Sequence, residues 1–232
     1  MSLRSRTYEK EILDSVDIDQ AELNRNLFEL HVINKFLGGY KASIRGLQQL
    51  LNNGNPVRTL LDIGFGGGDS ILELSEYSNR NNISFFIHGV DYKWDCVLYA
   101  KNRLQGLTNK KLHYCDYRSL SAEFLNSIDV IHCSLFLHHL TNEEITELLC
   151  LAREHNCMVV INDLHRNWFA YHSIKLLTFL FSRSRLVKND APLSVKRGFR
   201  KSELIELLKN AGFKKFKVQW SWAFRYVVIA ES

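Results

Sequence analysis

The amino-acid sequence predicts an α/β fold: a seven-stranded, mostly parallel sheet whose last strand runs antiparallel, helices on both faces, and a helical lid at the N-terminus. Three observations predict it. Short apolar runs alternate with stretches of helical periodicity from Pro56 onward, the pattern of strand–helix units joined by right-handed crossovers. The first of these runs breaks directly into a glycine-rich turn, Gly64-Phe65-Gly66-Gly67-Gly68. The last two runs are separated by only a short turn, and strands joined that way pair antiparallel. A chain of 232 residues holds one such domain, so residues 1–55 read as the lid and residues 56–232 as a single compact unit.

Each element has its own signal. Ile12, Leu13 and Val16, then Leu23, Leu27, Leu30, Ile33, Phe36 and Leu37, recur at spacings of three and four, which predicts helices across residues 8–51. Gly38-Gly39 interrupts them, and a further helix over residues 42–51 stops at Asn52-Asn53-Gly54-Asn55-Pro56. This front segment is either a lid or packing on the sheet edge. Residues 60–63 are apolar enough for a strand covered on both faces. After the glycine turn, residues 69–77 form a helix with Ile71, Leu72 and Leu74 inward, and residues 83–90 a second strand ending at Asp91. A helix through Trp94, Val97, Leu98, Ala100 and Leu104 leads to a third strand over residues 111–115, which ends at Asp116-Tyr117.

Residues 127–135 read as the fourth strand and residues 157–163 as the fifth. Between them Thr141-Asn142-Glu143-Glu144 carries the capping box of a helix that runs to about His155. Residues 167–181 are apolar and aromatic, flanked by Arg166, Arg183 and Arg185, and too short to span a bilayer. They line an acceptor pocket, touch a membrane surface or pack in the core. Ser202 caps a helix over residues 203–210 that Gly212 closes, and residues 213–220 and 224–230 make the terminal antiparallel pair.

Bulk properties narrow the function classes. Hydrophobic residues at 46% and charged residues at 24% exclude wholesale disorder. The net charge of +5 is not gathered into a block, so no nucleic-acid partner is expected. Cys96, Cys115, Cys133, Cys150 and Cys157 are odd in number and lack CxxC spacing, which reads as reduced core thiols. The polar start Met-Ser-Leu-Arg-Ser-Arg-Thr-Tyr and the lack of a membrane-length run predict a cytoplasmic protein.

The glycine turn can hold a nucleotide-like ligand against backbone N–H groups. A nicotinamide fingerprint, G-x-G-x-x-G, requires a small sixth residue, and Asp69 occupies that place. Asp91 ends the strand expected beside the first one, where a carboxylate accepts from ribose hydroxyls. Asp116 supplies a second carboxylate at a strand end.

Taken together, Asp62-Ile63-Gly64-Phe65-Gly66-Gly67-Gly68, Asp91, Asp116 and the closing hairpin resemble the class I S-adenosylmethionine-dependent methyltransferases, over most of the chain from Pro56 onward. The acidic-x-Gly-x-Gly-x-Gly motif matches at every constrained position. The resemblance implies a Rossmann-like sheet and S-adenosylmethionine as cofactor. By the same likeness Asp62, Gly64, Gly66 and Gly68 form the turn under its methionine part, Asp91 holds the ribose with Tyr92 beside the adenine, Asp116 and Tyr117 reach the adenine, and Ser134 and Leu135 face the sulfonium side. The stretches Asn34-x-x-x-Gly38-Gly39, Asn162-Asp163-Leu164-His165-Arg166 and Asp190-Ala191-Pro192-Leu193-Ser194 are similar to a bacterial subgroup acting on phenolic, polyketide or quinone-like compounds.

Methyl transfer from a sulfonium is an in-line displacement, so the protein has mainly to align the reactants and exclude water. A phenol, with a pKa of about 10, is helped by a base that takes its proton. His139 and His165 are the candidate bases, with Asp163 placed to orient either or to cap a turn. Phe136-Leu137-His138-His139-Leu140 also resembles the segment after the fourth strand of small-molecule methyltransferases. Neighbouring side chains of an extended segment point to opposite sides, so one of His138 and His139 faces the site while the other packs, or both are structural, and no metal site is expected.

The expected partner is a small, aromatic or phenolic acceptor, methylated on oxygen, with weak membrane-surface contact and a monomeric or homodimeric protein. A catalytically silent binding or scaffold protein, or an RNA or protein methyltransferase, is the alternative. Ser134-Leu135-Phe136-Leu137 in place of an Asn/Asp-Pro-Pro-aromatic motif argues against base N-methylation of DNA and glutamine methylation.

Overall fold

The computed structural model describes residues 3–14 and 18–231. The strands are Thr59–Ile63 (β1), Phe86–Asp91 (β2), Lys110–Tyr114 (β3), Val130–Ser134 (β4), Met158–Leu164 (β5), Lys215–Ser221 (β6) and Arg225–Glu231 (β7). They form one sheet in the order β3-β2-β1-β4-β5-β7-β6. β1 pairs in parallel with β2 and β4, β4 with β5, and β7 alone inserts antiparallel, between β5 and β6. The strand order reverses between β1 and β4, which opens a crevice at the carboxyl ends of those two strands.

Alternate residues of each strand feed two cores. Leu61, Ile63, Ile131, Val159, Ile161 and Val228 face one layer, where they meet Ile145 and Leu148 of Asn142–Glu154 (α6) and Leu204 and Leu207 of Lys201–Asn210 (α9). Leu60, Ile87, Val130, Val160 and Val227 face the other, against Gly39–Asn52 (α2), Asp69–Arg80 (α3) and Trp94–Arg103 (α4). With both faces covered, the central strands β1, β4 and β5 read as mainly apolar runs, whereas β3 and β6 at the sheet edges are largely polar.

Several boundaries depart from the sequence pattern. The periodicity at Ile12 and Leu13 belongs to a single turn, Ile12–Asp14, and Val16 lies outside the described residues. The first long helix is Gln20–Phe36 (α1), capped by Asp19. α2 opens at Gly39, after Gly38 turns the chain with φ 70°, rather than at Ala42. It packs on the sheet so closely that a Cβ on Gly46 would come within 2.6 Å of Val160. Of the front segment, α2 is therefore a layer of the sheet, while α1 borders the crevice. The helix α9 begins two residues early, so Ser202 sits inside it, and the Glu203 carboxylate accepts the Arg200 N–H at 2.7 Å. A helix with no signal in the sequence pattern, Arg185–Arg197 (α8), carries Pro192 in its middle, the residue that usually ends a helix.

Residues 167–181 fold mostly into Trp168–Phe181 (α7). Ala170, Tyr171 and Ile174 pack with Val195 of α8. Ser173, Ile174 and Leu177 border the larger cavity described below. Phe179 and Phe181, at 71% and 78% exposure, point to solvent. No helix among the described residues is long and apolar enough to cross a membrane, and all five cysteines are free.

Candidate functional site

The turn after β1 is shaped by backbone geometry. Gly64, Gly66 and Gly68 all take positive φ (70°, 52° and 76°), a region that costs a residue with a Cβ. Gly64 has a second constraint, because a Cβ there would lie 2.2 Å from the Phe136 ring. Gly68 has another, since its Cβ would meet Leu104 at 2.8 Å, so its smallness serves helix packing. Gly66 faces open space. Its N–H donates to Asp91 Oδ2 at 2.9 Å, and the Lys93 N–H donates to Asp91 Oδ1 at 2.9 Å. Burial pushes the Asp91 carboxyl up, and these two backbone donors oppose that.

Two cavities of about 400 Å³ and 390 Å³ meet over this turn. Gly64, Asp91, Tyr92, Phe136 and His139 border both. Asp116 and Tyr117 border the smaller one, where Arg118 pairs with Asp116 at 2.6 Å and holds its carboxyl below the ordinary value. Gly66, Ser134 and Leu135 border the larger one, whose far wall is apolar: Leu30, Ile33, Leu37, Ile174, Val195 and Phe224. The backbone of Leu135 is itself in the left-handed region, φ 53°. Asn26 of α1 also borders the larger cavity, fully buried and with no protein partner for either side-chain polar atom among the described residues.

Asp62 and Gly68 border neither cavity. The Asp62 carboxylate, 1% exposed, instead accepts from His132 Nδ1 at 2.6 Å. His132 Nε2 is 2.9 Å from Ser43 Oγ, and Asn162 Nδ2 reaches Ser43 Oγ at 3.1 Å, Gly39 O at 2.8 Å and Ser134 Oγ at 3.2 Å. A buried polar chain thus joins the motif strand β1 to α2 and to the end of β5. The sequence pattern gave no sign of it, because Ser43, His132 and Asn162 become neighbours only when α2 lies across the sheet.

The histidines depart most from expectation. Leu137–His139 is a 3₁₀ turn, not an extended segment, so both rings lie on one side with centroids 4.3 Å apart. His138, 2% exposed, bonds through Nδ1 to Asp163 Oδ1 at 2.8 Å, and Asp163 also accepts the His138 and Leu164 N–H groups. Burial alone would raise the Asp163 carboxyl; His138 and the Leu164 N–H bring it below its ordinary value. His139 Nδ1 lies 3.2 Å from Asp14 Oδ1. Both Nε2 atoms face Glu11, at 3.6 Å and 3.9 Å, so Glu11, His138 and His139 bring three metal-competent atoms within 4.8 Å of one another. Ser194 donates to the same Glu11 carboxylate at 2.7 Å.

The N-terminal segment that carries Glu11 and Asp14 is tied down by α8. Asp190 accepts the Ile12 and Leu13 N–H groups at 2.9 Å each, and Arg197 donates to the His138 and His139 carbonyls at 2.9 Å and 2.8 Å. His165 lies elsewhere. It borders neither cavity, and its ring rests on Tyr226 at 4.8 Å between centroids. Burial, then Arg166 and Arg200, lower its pKa.

Residues 60–175, half of the chain, match the sequence model of a family described as methyltransferase domain. No curated protein matches the chain. Among solved structures, the plantazolicin methyltransferase BpumL in complex with SAH is similar over 92% of this chain and 95% of its own, with a TM-score of 0.63 and 17% identity. Magnesium protoporphyrin IX methyltransferase ChlM from Synechocystis PCC 6803, with bound SAH, is similar over 95% of this chain and 91% of its own, with a TM-score of 0.57 and 15% identity. EvdMO1 is similar over 82% of this chain at 18% identity and a TM-score of 0.53, and the chain spans only 41% of EvdMO1's length. At these identities the likeness is one of fold.

Proposed function

The chain belongs to the methyltransferase domain family, and from that premise we propose that it transfers a methyl group from S-adenosylmethionine to an oxygen of a small, apolar, aromatic or phenolic acceptor. The observation that carries this reading is the joining of two unlike cavities over one glycine turn. One side has Asp91, Tyr92, Asp116 and Tyr117, suited to a nucleoside; the other is walled by aliphatic and aromatic side chains, suited to an apolar acceptor.

The residues present fit the cofactor. Asp91 is already oriented by two backbone N–H groups and keeps lone pairs for ribose hydroxyls. Gly66 leaves open space where a side chain would intrude, and Asn26 offers an unmatched donor and acceptor to the amino-acid end. When bound, S-adenosylmethionine supplies an electrophilic methyl group on a sulfonium. Asp62 would act at one remove, by holding β1 and β4 in register through His132.

Of the two expected bases, His139 borders both cavities and His165 borders neither, so the base role is assigned to His139. Asp14, 3.2 Å from Nδ1, and Glu11, 3.9 Å from Nε2, flank the ring, so the imidazolium formed when His139 takes the acceptor's proton would lie between two carboxyl groups. His138, held by Asp163, would fix the turn that presents His139. We read the Glu11, His138 and His139 group as an acid–base cluster, with Arg197 and Arg6 supplying positive charge around it. The exposed apolar face of α7, bordered by Lys175, Arg183 and Arg185, supports a weak contact with an anionic bilayer surface.

Calorimetry with S-adenosylhomocysteine tests the reading. Wild-type protein should bind it, and a folded Asp91→Ala variant should bind at least about tenfold more weakly, roughly 1.4 kcal/mol. No heat of binding with the wild type would refute it. His139→Ala should retain cofactor binding and lose about 10²–10³ in kcat with a phenolic acceptor.

A further inference from the structure

Arg225 opens β7, opposite Leu164 at the end of β5, and borders the larger cavity. It is 3% exposed. Its Nη2 donates to Asn34 Oδ1 at 2.7 Å, while Nε and Nη1 have no partner among the described residues. No carboxylate of the described residues lies within ion-pair distance. The nearest acidic influence, Asp163, is committed to His138 and to the Leu164 N–H. Burial lowers the guanidinium pKa to about 10, which leaves it charged at neutral pH.

An uncompensated buried charge is unfavourable, and removing it from water is tolerated when something returns the interaction. The surroundings are fitted to this group. A Cβ on Gly39 would lie 3.1 Å from Arg225 Cζ and 3.2 Å from Asn34 Oδ1, so the start of α2 is kept bare above the guanidinium. Asn34 takes one Nη2 N–H, and the other runs parallel to an N–H of Nε or Nη1, a fork that matches the two oxygens of a carboxylate.

We infer that Arg225, held by Asn34, is the subsite for a carboxylate carried by the acceptor, so that the substrate is an apolar aromatic acid rather than a neutral phenol. This rests on the methyl-transfer reading above. The cofactor has an amino-acid carboxylate of its own, and position decides between the two. β7 lies three strands from β1 in the sheet, on the order of 14 Å at ordinary strand spacing. The glycine turn follows β1; Leu37, Ile174, Val195 and Phe224 share the Arg225 cavity and would hold the apolar body.

The test uses calorimetry on wild type, Arg225→Gln and Arg225→Lys with four probes: S-adenosylhomocysteine, 5′-methylthioadenosine, and, on the S-adenosylhomocysteine-loaded protein, 1-hydroxy-2-naphthoate and its methyl ester. Wild type should bind the acid at least about tenfold more tightly than the ester. Both variants should lose that preference while binding S-adenosylhomocysteine within about twofold of wild type. Equal binding of acid and ester by wild type, no binding of the acid, or a preference that survives in Arg225→Gln would each overturn the inference. Weaker S-adenosylhomocysteine binding in Arg225→Gln, with 5′-methylthioadenosine unaffected, would assign the carboxylate to the cofactor and overturn it too. If Arg225→Gln fails to fold by circular dichroism, Arg225→Lys and Asn34→Ala decide by the same criteria. Failure of the methyl-transfer reading is separate, because it appears as no binding of S-adenosylhomocysteine to wild type.

Discussion

Asp14 is held by opposing influences. Burial would raise its carboxyl, but His139 at 3.2 Å, the Glu11 N–H and Arg197 lower it to about 2. A carboxyl depressed on folding stabilises above its unfolded pKa, and that contribution disappears as pH falls through the folded value. Asp14→Asn should therefore cost roughly 2 kcal/mol near pH 5, a penalty that persists down to about pH 4 and fades towards pH 2. Urea unfolding of both proteins across that range checks it; a penalty independent of pH would contradict the assignment. At Gly64 the constraint is steric, and Gly64→Ala should abolish S-adenosylhomocysteine binding and lower Tm, because φ 70° and the Phe136 ring both oppose a methyl group. Asp91 and Asp116 were legible in the sequence because a carboxylate at a strand end needs only the strand to be placed. The His138–Asp163 pair was not, since 25 residues separate its members and the sequence gives no measure of which ring nitrogen faces where. Arg225 had no signal at all, as nothing in a strand pattern distinguishes a buried arginine from one at a sheet edge.

The elements were legible where a local signal and the tertiary fold agree. Thr141 and Glu144 exchange both capping hydrogen bonds, at 3.2 Å and 2.8 Å, as their spacing implies. Thr141→Ala should destabilise the protein by about 1 kcal/mol without changing cofactor affinity, measured by chemical denaturation alongside calorimetry. The 3₁₀ turn at Leu137–His139 and α8 escaped for opposite reasons. The first is too short to show a period, and Pro192 masks the second. For α2 the sequence marked a helix but not its task. Gly46→Ala should cost about 1–3 kcal/mol, because the added methyl lands within 2.6 Å of Val160, whereas an ordinary exposed helical glycine gains from the same change.

For the molecule as a whole, the order of strands and helices carried the fold class, since alternation fixes a parallel sheet and a final hairpin fixes the reversed strand. Which surfaces remain uncovered is a three-dimensional property. α7 displays Trp168, Phe169, Phe179, Leu180 and Phe181 outward beside exposed cationic side chains. A measurable fraction of the protein should float with vesicles containing phosphatidylserine at low salt and be released at high salt, as screening predicts; complete retention in the soluble fraction would assign that face another role. The polar chain from Asp62 through His132 and Ser43 to Asn162 crosses the same scale, linking three strands and a helix. All its protons can run one way, from the Asn162 amide to the Ser43 hydroxyl, to the imidazole, to the carboxylate. Deleting one member strands two neighbours at once, so the losses are subadditive: Ser43→Ala combined with Asn162→Leu should cost less than the sum of the two single changes, by about 1–2 kcal/mol in a double-mutant cycle. The motif strand, α2 and the end of β5 thus share a coupling energy before any ligand arrives.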